Sequence, residues 1–121
     1  MKHMLLIYHD EQAWNTLTEA EREQIYLEYR QLIQELQAKG IYLAGDQLQP
    51  TATASSVRVR DGKQMVTDGP FAETREQLGG FFMIETHDAD EARRIAGRIP
   101  SARSGSVEVR PVVEAAAAKP A

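Results

Sequence analysis

Residues able to do acid/base chemistry concentrate in one stretch of thirteen residues, Asp68–Gly80, just past the middle of the chain. It holds the acids Asp68, Glu73 and Glu76, a Gly-Pro break, a lone phenylalanine and two final glycines, and it lies between two segments with strand patterns. An irregular segment of this length costs ordering entropy that a short turn would avoid. The stretch therefore predicts a ligand pocket but does not indicate which reaction would occur there.

The candidates within this stretch each allow two interpretations. Asp68 is a candidate general base, but an aspartate before Gly-Pro is also an ordinary turn residue. Glu73 and Glu76 either form a carboxylate pair or lie in a solvated turn or the first turn of a short helix. Pro70 and Phe71 are candidate ligand contacts, and Phe71 either anchors the loop in the core or forms a wall of the pocket.

Further candidates follow the ends of other predicted elements. Tyr8 ends an apolar run and offers either a phenolic donor to a ligand or a hydroxyl at the rim of the core. His9 comes next, and an imidazole suits proton transfer near neutral pH, although a lone histidine after a strand is more often a surface residue. Asp46 and Gln47 are candidate ligand contacts, and Arg103 is either a clamp for an anionic substrate or a solvent-facing side chain.

Composition limits the class of protein. The 121 residues predict one domain at 1–113 and a disordered alanine-rich tail at 114–121. Absence of cysteine excludes disulfides and a thiol nucleophile, and the three histidines show no ligand spacing, so no metal or other cofactor is predicted. Eighteen acidic against fourteen basic residues argue against a nucleic-acid partner. No apolar run is long enough to span a membrane, and we expect a cytoplasmic protein.

Two helices are predicted from capping boxes that precede apolar stripes. Thr18–Glu21 begins the first, and Gly40 supplies its stop. Asp88–Glu91 begins the second, and Pro100 ends it. Residues 10–17 are interpreted as a polar linker.

Four strands and a hairpin complete the pattern. Met4–Tyr8 and Phe81–Ile84 are apolar without alternation, which favours strands covered on both faces. Ile41–Ala44 predicts a further strand, and Ser106–Arg110 alternates as an edge strand does. Asp61-Gly62 predicts a tight hairpin turn.

The hairpin register follows from this turn. If Arg60 pairs with Lys63, then Val57 lies opposite Val66 and Val59 lies on the same face. This mostly apolar face can lie on the body of the domain.

Without the hairpin, the element order is that of an α+β, ferredoxin-like split βαβ fold (βαββαβ). This topology puts the two unalternated strands in the centre of the sheet. It also brings the ends of the first two strands to the same edge as the starts of the last two, where the candidate residues meet. Because two helices cover only one face of the sheet, a second copy of the chain is predicted to cover the other.

The stretch Asp68–Gly80 resembles the signature of the YCII-related, DGPF-motif proteins, with Arg75 in place of the more usual lysine. Met4–Tyr8, Ala44–Leu48 and Gly105–Pro111 are similar to segments of those proteins in the same order, so that the resemblance spans nearly the whole chain. It implies a homodimer with a dimeric α/β-barrel-type fold.

The resemblance has two functional implications. One is an enzyme with a His-Asp pair in a pocket at the dimer, although no histidine of this chain is assigned to that pair. The other is an accessory role, since family members are often encoded beside, or fused to, extracytoplasmic-function sigma factors. We therefore expect either acid/base chemistry on a small organic molecule or a non-catalytic ligand-sensing module associated with a sigma factor.

Overall fold

A computed structural model describes residues 1–114. Within them lie six strands and three α-helices: β1 (Lys2–His9), α1 (Glu11–Asn15), α2 (Glu19–Ala38), β2 (Tyr42–Gln47), β3 (Ser55–Arg60), β4 (Lys63–Asp68), β5 (Gln77–Glu85), α3 (Ala89–Arg98) and β6 (Ser106–Pro111). Short 3-10 turns occur at Thr51–Thr53 and Pro100–Arg103. The predicted tail at 114–121 lies outside the described residues except for its first residue.

One four-stranded antiparallel sheet forms the body of the domain, in the order β2, β5, β1, β6. The two strands with unalternated apolar sequence, β1 and β5, are therefore central, and the α+β, ferredoxin-like fold is confirmed. The ends of β1 and β2 lie at the same edge as the starts of β5 and β6, as the topology requires.

The core lies between the helices and one face of this sheet. Alternate side chains of the central strands enter it together with residues of α2 and α3: Leu5, Ile7, Phe82, Ile84, Leu32, Leu36, Ile95 and Ile99. Burying each such side chain contributes about 1.5–3 kcal/mol before entropic costs. The intervening residues Met4, Leu6, Phe81 and Met83 point to the opposite face and remain partly exposed.

The first capping box forms as predicted. The amide of Glu21 donates to Thr18 Oγ1 at 3.1 Å, and the amide of Thr18 donates to Glu21 Oε1 at 2.9 Å. At the other end of α2, Gly40 adopts a left-handed conformation with φ of 71°.

The second capping box forms only in part. The amide of Glu91 donates to Asp88 Oδ1 at 2.8 Å, as expected. The Glu91 carboxylate, however, accepts from the amide of His87 at 3.0 Å, one residue before the N-cap. This alternative still satisfies a backbone donor at the start of α3.

The predicted polar linker at 10–17 contains the short helix α1. Asp10 Oδ1 accepts from the amides of Gln12 and Ala13, at 3.0 and 3.3 Å, and so caps this turn. The Arg22 side chain donates to the carbonyl oxygens of Trp14 and Asn15, which ties α1 to α2. These contacts come from the following helix, and a pattern within residues 10–17 alone does not show them.

The hairpin has the predicted register but not the predicted packing. β3 and β4 pair with each other as a separate two-stranded sheet, and Val57 is opposite Val66. The prediction that its apolar face lies on the domain is wrong, because Val57, Val59 and Val66 are 57, 61 and 57% exposed. Hydrogen bonds hold the hairpin at its base, where the Gly69 amide donates to the Ala54 carbonyl at 2.8 Å.

None of the helices within residues 1–114 has the length and apolarity needed to cross a membrane.

Candidate functional site

A cavity of about 310 Å³ opens between α2 and the helix-covered face of the sheet. Its sheet wall comes from the ends of β1 and β2 and the start of β5, which is the edge where the topology gathers polar residues. Aromatic rings form much of the lining: Trp14, Tyr26, Tyr29, Tyr42 and Phe82. This mixture of flat apolar surfaces and a few polar groups is typical of a small-molecule site.

His9 contributes the only imidazole of this lining. It is half-buried at the end of β1, and within residues 1–114 neither ring nitrogen has a hydrogen-bond partner. Its ring lies against the backbone of Gly79 in β5. His9 therefore adds to the lining an imidazole that no group of the described residues engages by a hydrogen bond.

Edge-on aromatic contacts connect His9 to the helices. The His9 and Trp14 rings are T-shaped with centroids 6.2 Å apart, and Trp14 packs similarly on Tyr26 at 5.6 Å. The guanidinium of Arg22 lies over Trp14 at 5.9 Å from the ring centroid, a cation–π distance. Residues from β1, α1 and α2 thus form one continuous wall.

Two tyrosines keep their protons over a wide pH range. Burial raises the pKa of Tyr42 above its ordinary value, and the negative charge of Asp46 raises it further. Burial likewise raises the pKa of Tyr29, while its hydrogen bond with Ser101 partly opposes this effect. Both phenols are therefore neutral hydrogen-bond donors at physiological pH.

A smaller cavity of about 110 Å³ shares part of this lining. Its polar lining includes Asp10, Ser101 and Ser104. His9, Trp14 and Ser101 line both cavities.

Three of the residues singled out from the sequence meet in the larger cavity: His9, Asp46 and Gln47. Tyr8 does not, although it precedes His9 in the chain. Strand alternation turns its side chain to the opposite face, where its hydroxyl donates to Glu108 Oε1 at 3.3 Å. Burial, followed by the charge of Glu108, raises the pKa of Tyr8.

The first half of the Asp68–Gly80 stretch lies away from both cavities. Asp68 is exposed at the end of β4, Glu73 is exposed, and Pro70 is half-buried without lining either cavity. Phe71 is 82% exposed, so that it neither anchors the loop in the core nor forms a wall of these cavities. The role of Asp68 as a general base stays a prediction.

The second half of the stretch does reach the expected edge of the sheet. Glu76 Oε1 accepts from the Ser106 hydroxyl at 2.8 Å, and Arg75 Nε lies 3.7 Å from Asp10 Oδ2. Arg103 pairs with Glu28 at 2.8 Å and lines neither cavity. Arg75 and Arg103 thus pair with acidic side chains, and Glu76 bonds a serine hydroxyl.

The aromatic lining is what sequence reasoning missed. The chain has one tryptophan and four tyrosines, and Trp14, Tyr26, Tyr29 and Tyr42 all line the same cavity. Tyr26 and Tyr29 lie three residues apart in a predicted helix, so they share one helical face, and this spacing was the available signal.

Within residues 1–114, no group of three or more histidine, aspartate or glutamate side chains is arranged to hold a metal ion.

Comparison with known proteins identifies relatives along nearly the whole chain. The family model of the YCII-related domain matches residues 1–116. An uncharacterised protein of Rhizobium meliloti (strain 1021) is 34% identical over 114 residues, which cover 93% of this chain and 92% of that protein. The chain therefore belongs to the YCII-related family.

Proposed function

We propose that the protein binds a small planar organic molecule in the aromatic cavity and that His9 transfers a proton to or from it. One observation carries this proposal. An imidazole whose nitrogens have no hydrogen-bond partner within residues 1–114 lines a cavity to which five aromatic rings also contribute.

The lining supports the class of ligand. The cavity volume is at the lower end of the roughly 300–1,000 Å³ range of small-molecule sites. Rings such as Trp14, Tyr42 and Phe82 favour a planar ligand that stacks on them or meets them edge-on. Arg30 and Asp46 supply one charge of each sign among the lining residues, which allows a polar substituent to be recognised.

Proton transfer is the chemistry that this lining supports. An imidazole accepts a proton from one atom of a substrate and returns it to another, so an isomerisation needs no further reactant. The neutral phenol of Tyr42 can donate a hydrogen bond to a substrate oxygen while this occurs.

Trp14 offers a direct measurement of binding, because it is the single tryptophan and lines the cavity. Planar probes such as phenylpyruvate and 4-hydroxybenzoate should change its fluorescence in a saturable manner. Phenylpyruvate also tests proton transfer, since its enol form becomes the keto form by losing a hydroxyl proton and gaining one at carbon.

We expect the protein to accelerate this tautomerisation and His9→Gln to lose at least about 90% of the acceleration, given typical general acid/base effects. Binding of 4-hydroxybenzoate should change little. His87→Gln is the matched control, because His87 is exposed and lines neither cavity. If Asp68→Asn instead abolished turnover and His9→Gln did not, the site would be the one expected from the sequence.

The proposal includes a homodimer in which the sheets face each other. Support comes from the face opposite the helices, where the apolar side chains of Met4, Leu6, Phe81 and Met83 remain partly exposed. A second copy would remove them from water, and each buried CH₂ group contributes about 0.8 kcal/mol.

A second candidate function is a protein-interaction module, with an extracytoplasmic-function sigma factor as its partner. The observation that favours it is the β3–β4 hairpin, whose apolar Val57, Val59 and Val66 are exposed on one face. Exposed apolar side chains of this kind are typical of interaction sites.

Pull-down against the sigma factor encoded nearest in the genome tests this candidate. The Val57→Asp variant should lose the complex, whereas Thr67→Asp should keep it, because Thr67 lies on the opposite hairpin face. Failure of the wild-type protein to bind that sigma factor would reject the candidate.

A further inference from the structure

We propose that Gly79 is a positioning residue for His9, since the absence of a side chain at Gly79 sets where the imidazole lies in the cavity. The inference rests on the function proposed above for His9. It concerns one specific contact between β1 and β5.

The contact is too close for a Cβ atom at position 79 unless the His9 ring moves. A Cβ atom built on Gly79 would lie 2.6 Å from Nε2 and 2.7 Å from Cδ2 of His9. The third-nearest atom, at 3.5 Å, also belongs to the His9 ring. The Cβ atom of an alanine at position 79 would therefore clash with the imidazole. Every other neighbouring atom would be 3.5 Å away or farther.

The backbone does not itself require glycine at this position. Gly79 lies outside the left-handed region of φ that favours glycine, in contrast to Gly40, Gly62 and Gly69. An alanine could adopt the same backbone conformation, so that the restriction arises from the His9 ring alone.

The backbone around Gly79 is also held in place. A β-bulge separates the pairs Ile7–Gly80 and Tyr8–Leu78, so Gly79 is the extra residue of β5. Its carbonyl accepts from the Leu48 amide at 2.8 Å, which ties the bulge to the chain after β2. The ring, rather than the strand, would have to move.

The His9 ring also has an edge-on contact with Trp14, and the two ring centroids are 6.2 Å apart. Trp14 is itself supported by Tyr26. Because His9 lines both cavities, a displaced ring changes the shape of both. Gly79 thus controls the position of the proposed proton-transfer group without touching a ligand through a side chain of its own.

A double-mutant cycle tests the contact. Gly79→Ala should lower Tm by about 5 to 10 °C, the size expected for overpacking in a domain of this length. In the His9→Ala background most of this decrease should disappear, because the ring that the methyl group meets is gone. Gly97→Ala is the matched control, since a Cβ there has nothing within 4 Å, and its effect should be the same in both backgrounds.

If Gly79→Ala proves unfolded, the His9→Ala/Gly79→Ala protein decides the question. Folding of the double variant supports the inference. A double variant that is also unfolded, or additive Tm changes, would overturn it.

The NMR signals of the His9 imidazole report on the position of the ring, and a general loss of stability does not shift them. In ¹H–¹³C spectra of histidine-labelled protein, Gly79→Ala should shift the His9 ring resonances and leave those of His87 unchanged. Unchanged His9 resonances would overturn the inference whatever the activity. Shifted resonances with unaltered phenylpyruvate turnover would leave Gly79 as the positioning residue and reject His9 as the proton-transfer group.

Discussion

The side-chain amide of Gln47 donates a hydrogen bond to the hydroxyl of Tyr26, with 3.1 Å between Nε2 and the oxygen. Gln47 ends β2 and Tyr26 lies in α2, so this bond joins the sheet to the helix across the lining of the larger cavity. Both side chains are exposed, so that the bond lies on the solvent side of the site.

Removing this hydrogen bond should weaken ligand binding in the cavity while lowering the free energy of unfolding only slightly. Tyr26→Phe should lower the free energy of unfolding by only about 0.5–1 kcal/mol, because both groups are exposed and water replaces the lost partner. Binding of 4-hydroxybenzoate, followed through Trp14 fluorescence, should weaken. In a double-mutant cycle, adding Gln47→Leu to Tyr26→Phe should cost little more, whereas fully additive losses would show that the two side chains do not interact in solution.

Local sequence signals were sufficient for most of the fold. The capping box of Thr18 and Glu21, the turn at Asp61-Gly62 and the apolar runs of β1 and β5 each depend on neighbouring residues, and all appear where they were expected. The short helix α1 was missed because contacts from Arg22 in another element help to hold it.

The site was less predictable because it depends on which way side chains point. Asp68–Gly80 is conspicuous in the sequence, yet Asp68 and Phe71 are exposed and away from both cavities. Tyr42 and Tyr26 come together only because α2 lies over β2. No local sequence pattern predicts this packing. Tyr8 and His9 were grouped by proximity in the chain, although adjacent strand residues face opposite sides of a sheet.

The N-cap of α2 should contribute measurably to stability. Thr18→Ala removes the hydroxyl that accepts from the Glu21 amide and should lower the free energy of unfolding by about 1 kcal/mol. Urea denaturation at neutral pH measures the change. Gln24→Ala, at an exposed position of the same helix, should leave stability unchanged or slightly raise it, and an equal loss in both variants would contradict the capping role.

The same cap should make stability depend on acid pH. Hydrogen bonds from Thr18 hold the pKa of Glu21 below its ordinary value of 4.5. A carboxylate with a depressed pKa in the folded state stabilises the protein above its unfolded pKa, and this contribution is lost as pH falls through the folded-state value. Glu21→Gln should therefore show a smaller decrease in stability than the wild type between pH 5 and 3, whereas identical pH profiles would remove Glu21 as a contributor.

Two apolar positions should respond very differently to truncation. Leu36 is 1% exposed in the core, and Leu36→Ala should cost about 2–5 kcal/mol through lost burial and the cavity left behind. Phe71→Ala should change the stability of the subunit by no more than about 0.5 kcal/mol because its ring is 82% exposed. Chemical denaturation of each variant tests this, and a large cost at Phe71 would indicate that a partner covers it.

A charge on the open face of the sheet should separate subunits without unfolding them. Met83 in β5 lies beside Met4 in β1 on the face opposite the helices, and both are only partly buried within one chain. Met83→Asp should leave the circular dichroism spectrum unchanged but shift the sedimentation coefficient from dimer to monomer, because a carboxylate buried between two apolar sheets loses its hydration. Thr67→Asp adds the same charge on the hairpin and should remain dimeric. A wild-type protein that sediments as a monomer at micromolar concentration would refute the facing-sheet dimer, and dissociation by Thr67→Asp alone would place the subunit contact at the hairpin.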